Sequence, residues 1–257
     1  MENKSQSQYC SLEEFDQEVS LWQLFPAGDG KGLRRLKLIV DAILNGQIQN
    51  TSKPLSILIV GKSGNGKRSH ARAFLRALGV TNITEIPASL LSLHYSLSDH
   101  IASQQTYDGL LLTNVEHSAP FFQHTLYHYL EEGRYYAKNI TKYDEAQFPF
   151  DIYHGICPIV LTTAEPNRIP LFIKDTVNHI VTIEPYTREQ LKLVILQRLI
   201  YCHRDYEGEG VLEKITEYGM SGVDRAIYIL RQALTVMNSE GENMLLLKHV
   251  ERAIKLL

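Results

Sequence analysis

Long apolar runs are missing from this 257-residue chain, and so is any strong excess of charge: 26 Lys and Arg stand against 29 Asp and Glu, a formal net charge of −3. The first absence excludes a membrane-spanning helix, and the start MENKSQSQYC lacks the basic-then-apolar pattern of a secretory signal. A cytoplasmic protein with no membrane partner is therefore expected. The charge balance excludes a wholesale electrostatic footprint for DNA or RNA and leaves room only for a local basic patch. Cysteine is scarce too: Cys10, Cys157 and Cys202 are too few and too widely spaced for a disulfide framework or a zinc knuckle, and read as reduced, structural thiols. His124 and His128 stand four apart with His117 upstream, but no HExxH glutamate lies between them, so they read as surface or packing histidines and no metal site is expected. A guanine-reading NKxD is absent, which sets a GTPase or P-loop kinase last among the readings.

What is present is enough apolar material, 44% of residues against 21% charged, to bury one α/β domain with a small appendage. The most informative stretch begins at Ile57-Leu58-Ile59-Val60, an apolar run that reads as a buried parallel strand. It opens into Gly61-Lys62-Ser63-Gly64-Asn65-Gly66-Lys67-Arg68-Ser69, and His70 to Leu78 then reads as a helix. The spacing GxxxxGK creates a nest of backbone N–H groups backed by a helix N-terminus, which favours an anion, and Lys67 is placed to reach the β- and γ-phosphates of a nucleotide. The next position normally carries a hydroxyl that binds Mg²⁺, and here it is Arg68. Arginine does not ligate a cation, though its fork pairs with phosphate or with an acidic neighbour. Ser69 lies about 100° further round the helix and does not substitute without a local shift. ATP or ADP is the expected ligand, with Mg²⁺ left open.

Three stretches are expected: residues 1–30 as a polar tail and docking segment, 31–185 as an α/β nucleotide-binding domain, and 186–257 as an all-α lid. Residues 33, 36, 40, 43 and 44 form a helical stripe. Short apolar runs recur at Gly109 to Leu112, Ile156 to Leu161 and Ile180 to Ile183, with helical patterns between them. That alternation implies a mostly parallel sheet flanked by helices, with ligands at the carboxyl ends of the strands. From Thr187 the sequence reads as helical only, opening on the capping box Thr187-Arg188-Glu189-Gln190.

At the end of Leu110-Leu111-Leu112 a P-loop ATPase needs an Asp that holds Mg²⁺ through water, and often a Glu that polarises the attacking water. This chain has Thr113 and Asn114 there. Thr113 hydrogen-bonds without bringing charge, and Asn114 orients a water without accepting its proton. Glu116 is the substitute base, but its position at the start of the next helix favours an exposed carboxylate over a catalytic one.

With these motifs in order, the chain resembles the AAA+ ATPase superfamily, and within it the RuvB family of Holliday-junction motors, from about Lys31 to Leu257. Gly61 to Lys67 resembles the Walker A loop, Asp108 to Asn114 the Walker B strand, and Ile159 to Thr163 the sensor 1 strand. Glu184 to Leu191 is similar to the start of the lid and Ser221 to Ile227 to the sensor 2 helix. The resemblance implies that Thr113 replaces the metal-binding aspartate, Asn114 the catalytic glutamate and Arg68 the Mg²⁺ hydroxyl. It places Thr176 at the arginine-finger position and Asp224 at sensor 2, with Arg225 one residue off, and leaves sensor 1 to Thr162 or Thr163.

Loss of a positioned carboxylate and of the arginine finger costs several orders of magnitude in phosphoryl transfer, on the order of 10³ or more for the finger alone. The resemblance thus implies a nucleotide-binding module with degraded hydrolysis machinery, a homo- or hetero-oligomer of AAA+ modules. The alternative is an active, DNA-linked motor completed in trans. Residues 121–153 carry ten aromatics beside Arg134, Lys138 and Lys142. That composition suits single-stranded nucleic acid, while the resemblance implies a hairpin that binds a protein partner in this region; a DNA contact has no further support. The winged-helix segment that RuvB-type motors carry beyond the lid has no counterpart among these residues.

Overall fold

The computed structural model describes residues 30–48, 53–90, 108–133, 135–137, 150–152 and 157–257. Residues 1–29 of the expected tail, with Cys10, and part of the aromatic-basic stretch, including Arg134, Lys138, Lys142, Tyr143 and Phe148, lie outside the described residues.

The described chain divides into two compact units. One contains Gly30–Ser63 and Lys67–Glu184, and the other contains Pro185–Leu257 with Gly64–Gly66. The first is built on a parallel five-stranded sheet of β1 (Ser56–Val60), β2 (Asn82–Pro87), β3 (Asp108–Thr113), β6 (Ile159–Thr163) and β7 (His179–Thr182), in the order β2-β3-β6-β1-β7. Around it stand α1 (Lys31–Leu44), α2 (Lys67–Ala77), α3 (Pro120–Glu132) and the short α4 (Leu171–Thr176). The three inner strands carry runs of buried residues, Ile57 to Ile59, Leu110 to Leu112 and Ile159 to Leu161, because helices cover both faces of a parallel sheet. In register, Leu58 lies beside Leu161 and Leu161 beside Leu112, and these side chains meet Leu126, Tyr129 and Leu130 of α3 in the main core. Cys157 is buried there, its sulfur 3.3 Å from the Tyr129 hydroxyl, a packing thiol.

One element departs from the sequence reading. β2 lies at the sheet edge, where partly exposed Asn82, Thr84 and Glu85 dilute the apolar signal and Pro87 closes the strand. In the stretch where the resemblance implies a hairpin, a small antiparallel ladder pairs β4 (Tyr135–Ala137) with β5 (Phe150–Ile152).

In the second unit α5 (Arg188–Tyr201) opens on the expected capping box: the Thr187 hydroxyl accepts the Gln190 N–H at 3.2 Å, and Gln190 accepts the Thr187 N–H at 2.8 Å. It packs with α6 (Glu209–Gly219), α7 (Val223–Ser239) and α8 (Leu247–Lys255) around Leu191, Ile195, Ile215, Ile229, Leu230 and Val250. The expectation of helices alone is corrected by a two-residue parallel ladder of β8 (Asp205–Tyr206) and β9 (Met244–Leu245). Segments of two residues carry no readable alternation, and their pairing is set by the helices that bring them together.

Candidate functional site

The glycine loop leaves the carboxyl end of β1 and enters α2. Gly64 and Gly66 take φ of +80° and +74°, the left-handed region that a side chain resists. The Gly61 N–H donates to the Thr163 carbonyl at 3.1 Å, tying the start of the loop to the end of β6. Asn65 and Lys67 are buried, and the Lys67 ammonium donates to the Lys62 carbonyl at 3.0 Å. The Lys62 and Ser63 side chains are exposed.

Arg68 turns to an acidic neighbour. Its guanidinium lies against the Glu85 carboxylate on β2, and Arg72, one turn further along α2, donates to the same carboxylate from Nε at 2.9 Å and Nη2 at 2.5 Å. The two arginines stand four residues apart and so share one face of α2, and the acid they share lies on an edge strand that the sequence concealed. Ser69 is exposed on the first turn of α2.

At the ends of β3 and β6 the side chains are tied to one another. Thr113 is buried, and Asn114 holds a left-handed backbone (φ 55°, ψ 53°), which asparagine tolerates better than most residues. The Asn114 N–H approaches the Thr162 hydroxyl at 3.4 Å, while the Thr163 hydroxyl accepts the Glu165 N–H at 3.1 Å. Glu116 overturns the expectation of an exposed carboxylate. It is only 5% exposed, Oε1 accepts the Ala164 N–H at 2.9 Å, and Oε2 is buried with no hydrogen-bond partner. The cause is the 3-10 turn Val115–His117, which curls the chain back over the end of β6 before α3 begins. Spacing alone carried no sign of that turn.

Other expected positions are occupied differently. The Thr176 hydroxyl donates to the Phe172 carbonyl at 2.6 Å within α4, and Lys174 donates to the Pro166 carbonyl at 3.2 Å. Asp224 and Arg225 are exposed at the start of α7, where the Arg225 N–H donates to the Asp224 carboxylate at 2.8 Å. His124 stacks on Phe172, and His128 lies 3.7 Å from Glu132.

Among the described residues Glu240, Glu242 and His249 of the helical unit have metal-ligand proximity. The buried His249 Nε2 lies 3.3 and 3.2 Å from the two carboxylates. Its Nδ1 accepts the Leu246 N–H at 3.0 Å, so the ring proton resides on Nε2 and leaves that nitrogen no lone pair for a metal. Lys248 and Arg252 already approach the carboxylates of Glu242 and Glu240 at 2.5 Å each, so the cluster acts as a clamp between α7 and α8.

No protein-family profile matches the sequence, and neither does any curated protein. Solved structures do match in fold. The Thermotoga maritima RuvB Holliday-junction branch-migration motor aligns with a TM-score of 0.71 at 17% identity, over 95% of this chain and 73% of that one. A single-residue variant of the same motor gives the same values, and another aligns at a TM-score of 0.68 over 90% of this chain and 70% of its own. The chain thus has the AAA+ P-loop fold of RuvB. Among the described residues no helix is long and apolar enough to cross a membrane.

Proposed function

We propose that the protein is a nucleotide-binding AAA+ module, taking ATP or ADP, whose own capacity for hydrolysis is weak, and that it serves as a regulatory or structural subunit of an oligomeric ATPase assembly. The observation that carries the reading is the pairing of an intact phosphate loop with altered strand ends. Gly64 and Gly66 hold the left-handed backbone the nest requires, with the buried Lys67 beside them, while Thr113 and Asn114 stand where a charged Mg²⁺ ligand and a base are needed. Arg68, at the position of the Mg²⁺ hydroxyl, is engaged by Glu85. The phosphate-binding parts are backbone and one lysine, so affinity survives changes that remove catalysis.

Calorimetric titration with ATP, ADP and GTP, with and without Mg²⁺, beside a phosphate-release assay tests this. The expected outcome is adenine-nucleotide binding that Lys67→Ala weakens at least about tenfold, with no sustained turnover. Turnover by the isolated protein at about 1 per second or more overturns it, as does failure to bind any nucleotide. The second reading, a motor completed in trans, draws on the buried carboxylate of Glu116. It predicts turnover that appears only when a partner module is added.

A further inference from the structure

The geometry points to Glu116 as the carboxylate that engages a nucleotide-bound Mg²⁺, through its hydration shell, in place of the missing strand-end aspartate. This inference rests on the nucleotide-binding reading above and concerns a position the Walker B pattern does not use. Three observations carry it.

The first is an orphaned atom. Oε2 of Glu116 is buried without a hydrogen-bond partner, while Oε1 is held by the Ala164 N–H. A buried carboxylate oxygen left unsatisfied costs stability, and a side chain that merely accepted the Ala164 N–H would do so more cheaply as an amide. An orphaned buried polar atom calls for an explanation, and a bound water or ion is one.

The second is location. Glu116 binds Ala164, the residue after Thr163, and the Thr163 carbonyl in turn receives the N–H of Gly61, the first glycine of the phosphate loop. A short hydrogen-bonded path therefore runs from Glu116 across the end of β6 to the loop, all within the α/β unit. The ends of β3, β6 and β1 are adjacent in the sheet.

The third is the chemistry of the donor set. Mg²⁺ on a nucleotide uses phosphate oxygens, several waters and one or two carboxylates. The two positions that ordinarily serve it bring no anionic oxygen: Thr113 is neutral, and Arg68 is cationic and bound to Glu85. Oε2 of Glu116 is a buried, unsatisfied anionic oxygen at these strand ends; the other carboxylate oxygen left without a hydrogen bond among the described residues, Glu85 Oε1, lies against Arg68.

The test compares wild type with Glu116→Gln, which keeps an oxygen for the Ala164 N–H and removes the charge. ADP and ATP affinities are measured by calorimetry in Mg²⁺ and in EDTA, and melting without ligand reports folding. Wild type is expected to bind about 10- to 100-fold more tightly with Mg²⁺ than without it, and Glu116→Gln to lose that gain while retaining the EDTA affinity and the melting temperature. An unchanged Mg²⁺ gain in Glu116→Gln overturns the inference, as does a wild type indifferent to Mg²⁺. Equal loss of affinity in EDTA assigns Glu116 a purely structural part and overturns it as well. Binding by wild type in EDTA preserves the nucleotide-binding reading whatever the fate of Glu116; absence of all binding removes both.

Discussion

His179 illustrates how a single side chain makes the α/β unit sensitive to acid. It is the first residue of β7 and is half-buried; burial first, and the charge of Arg35 second, hold its imidazole below the ordinary value of 6.5. The folded state therefore favours the neutral ring. The unfolded chain takes up the proton first as pH falls, so this contribution to stability is complete above about pH 6.5 and is lost as pH drops through the lower, folded value. Melting curves between pH 7.5 and 5 should show a smaller acid-induced fall for His179→Gln than for wild type; an identical fall in both would refute the assignment. Arg68, by contrast, was half legible. Its inability to bind a cation follows from residue type, whereas its pairing with Glu85 follows from the neighbouring strand.

Among the secondary-structure elements, legibility followed burial. β1, β3, β6 and β7 announce themselves as apolar runs because the sheet is covered on both sides, and α5 announces its start through Thr187 and Gln190. The edge strand β2 and the ladder of β4 and β5 carry no comparable signal, since exposed or very short strands have little apolar periodicity to read. The capping box is local enough to yield a clean test. Thr187→Ala should cost about 1 kcal/mol of stability, seen as a lower denaturant midpoint with an unchanged slope. A loss of nothing would mean that water satisfies the Gln190 N–H equally well. Packing within the α/β unit is less forgiving: Gly32 of α1 lies so close to β7 that an added Cβ would stand 2.1 Å from the Thr182 carbonyl oxygen.

For the molecule as a whole, the function proposed above implies assembly. Where the resemblance places an arginine finger, this chain has Thr176, whose hydroxyl donates to the Phe172 carbonyl of its own helix. On the function proposed above, such a module joins copies of itself or other AAA+ modules. Size-exclusion chromatography with light scattering, with and without nucleotide, should show the 29.3 kDa chain joining larger species most readily when a catalytically complete AAA+ partner is supplied. A monomer under all those conditions would oppose the assembly reading.

Residue order alone determined the alternation of buried strands and helices and the glycine spacing of the loop after β1; of the three glycines Gly61, Gly64 and Gly66, the last two take the left-handed backbone. It also placed the uncharged Thr113 and Asn114 at the end of β3. Each of these is local, written in periodicity, spacing and residue type. Only the tertiary structure decided that Glu85 holds Arg68 and that Glu116 is drawn inside with one oxygen on Ala164 and one unsatisfied. Both contacts join residues on different strands, Ala164 being 48 positions from Glu116, and the energy of burying a carboxylate depends on what surrounds it in space, a quantity that no local pattern contains.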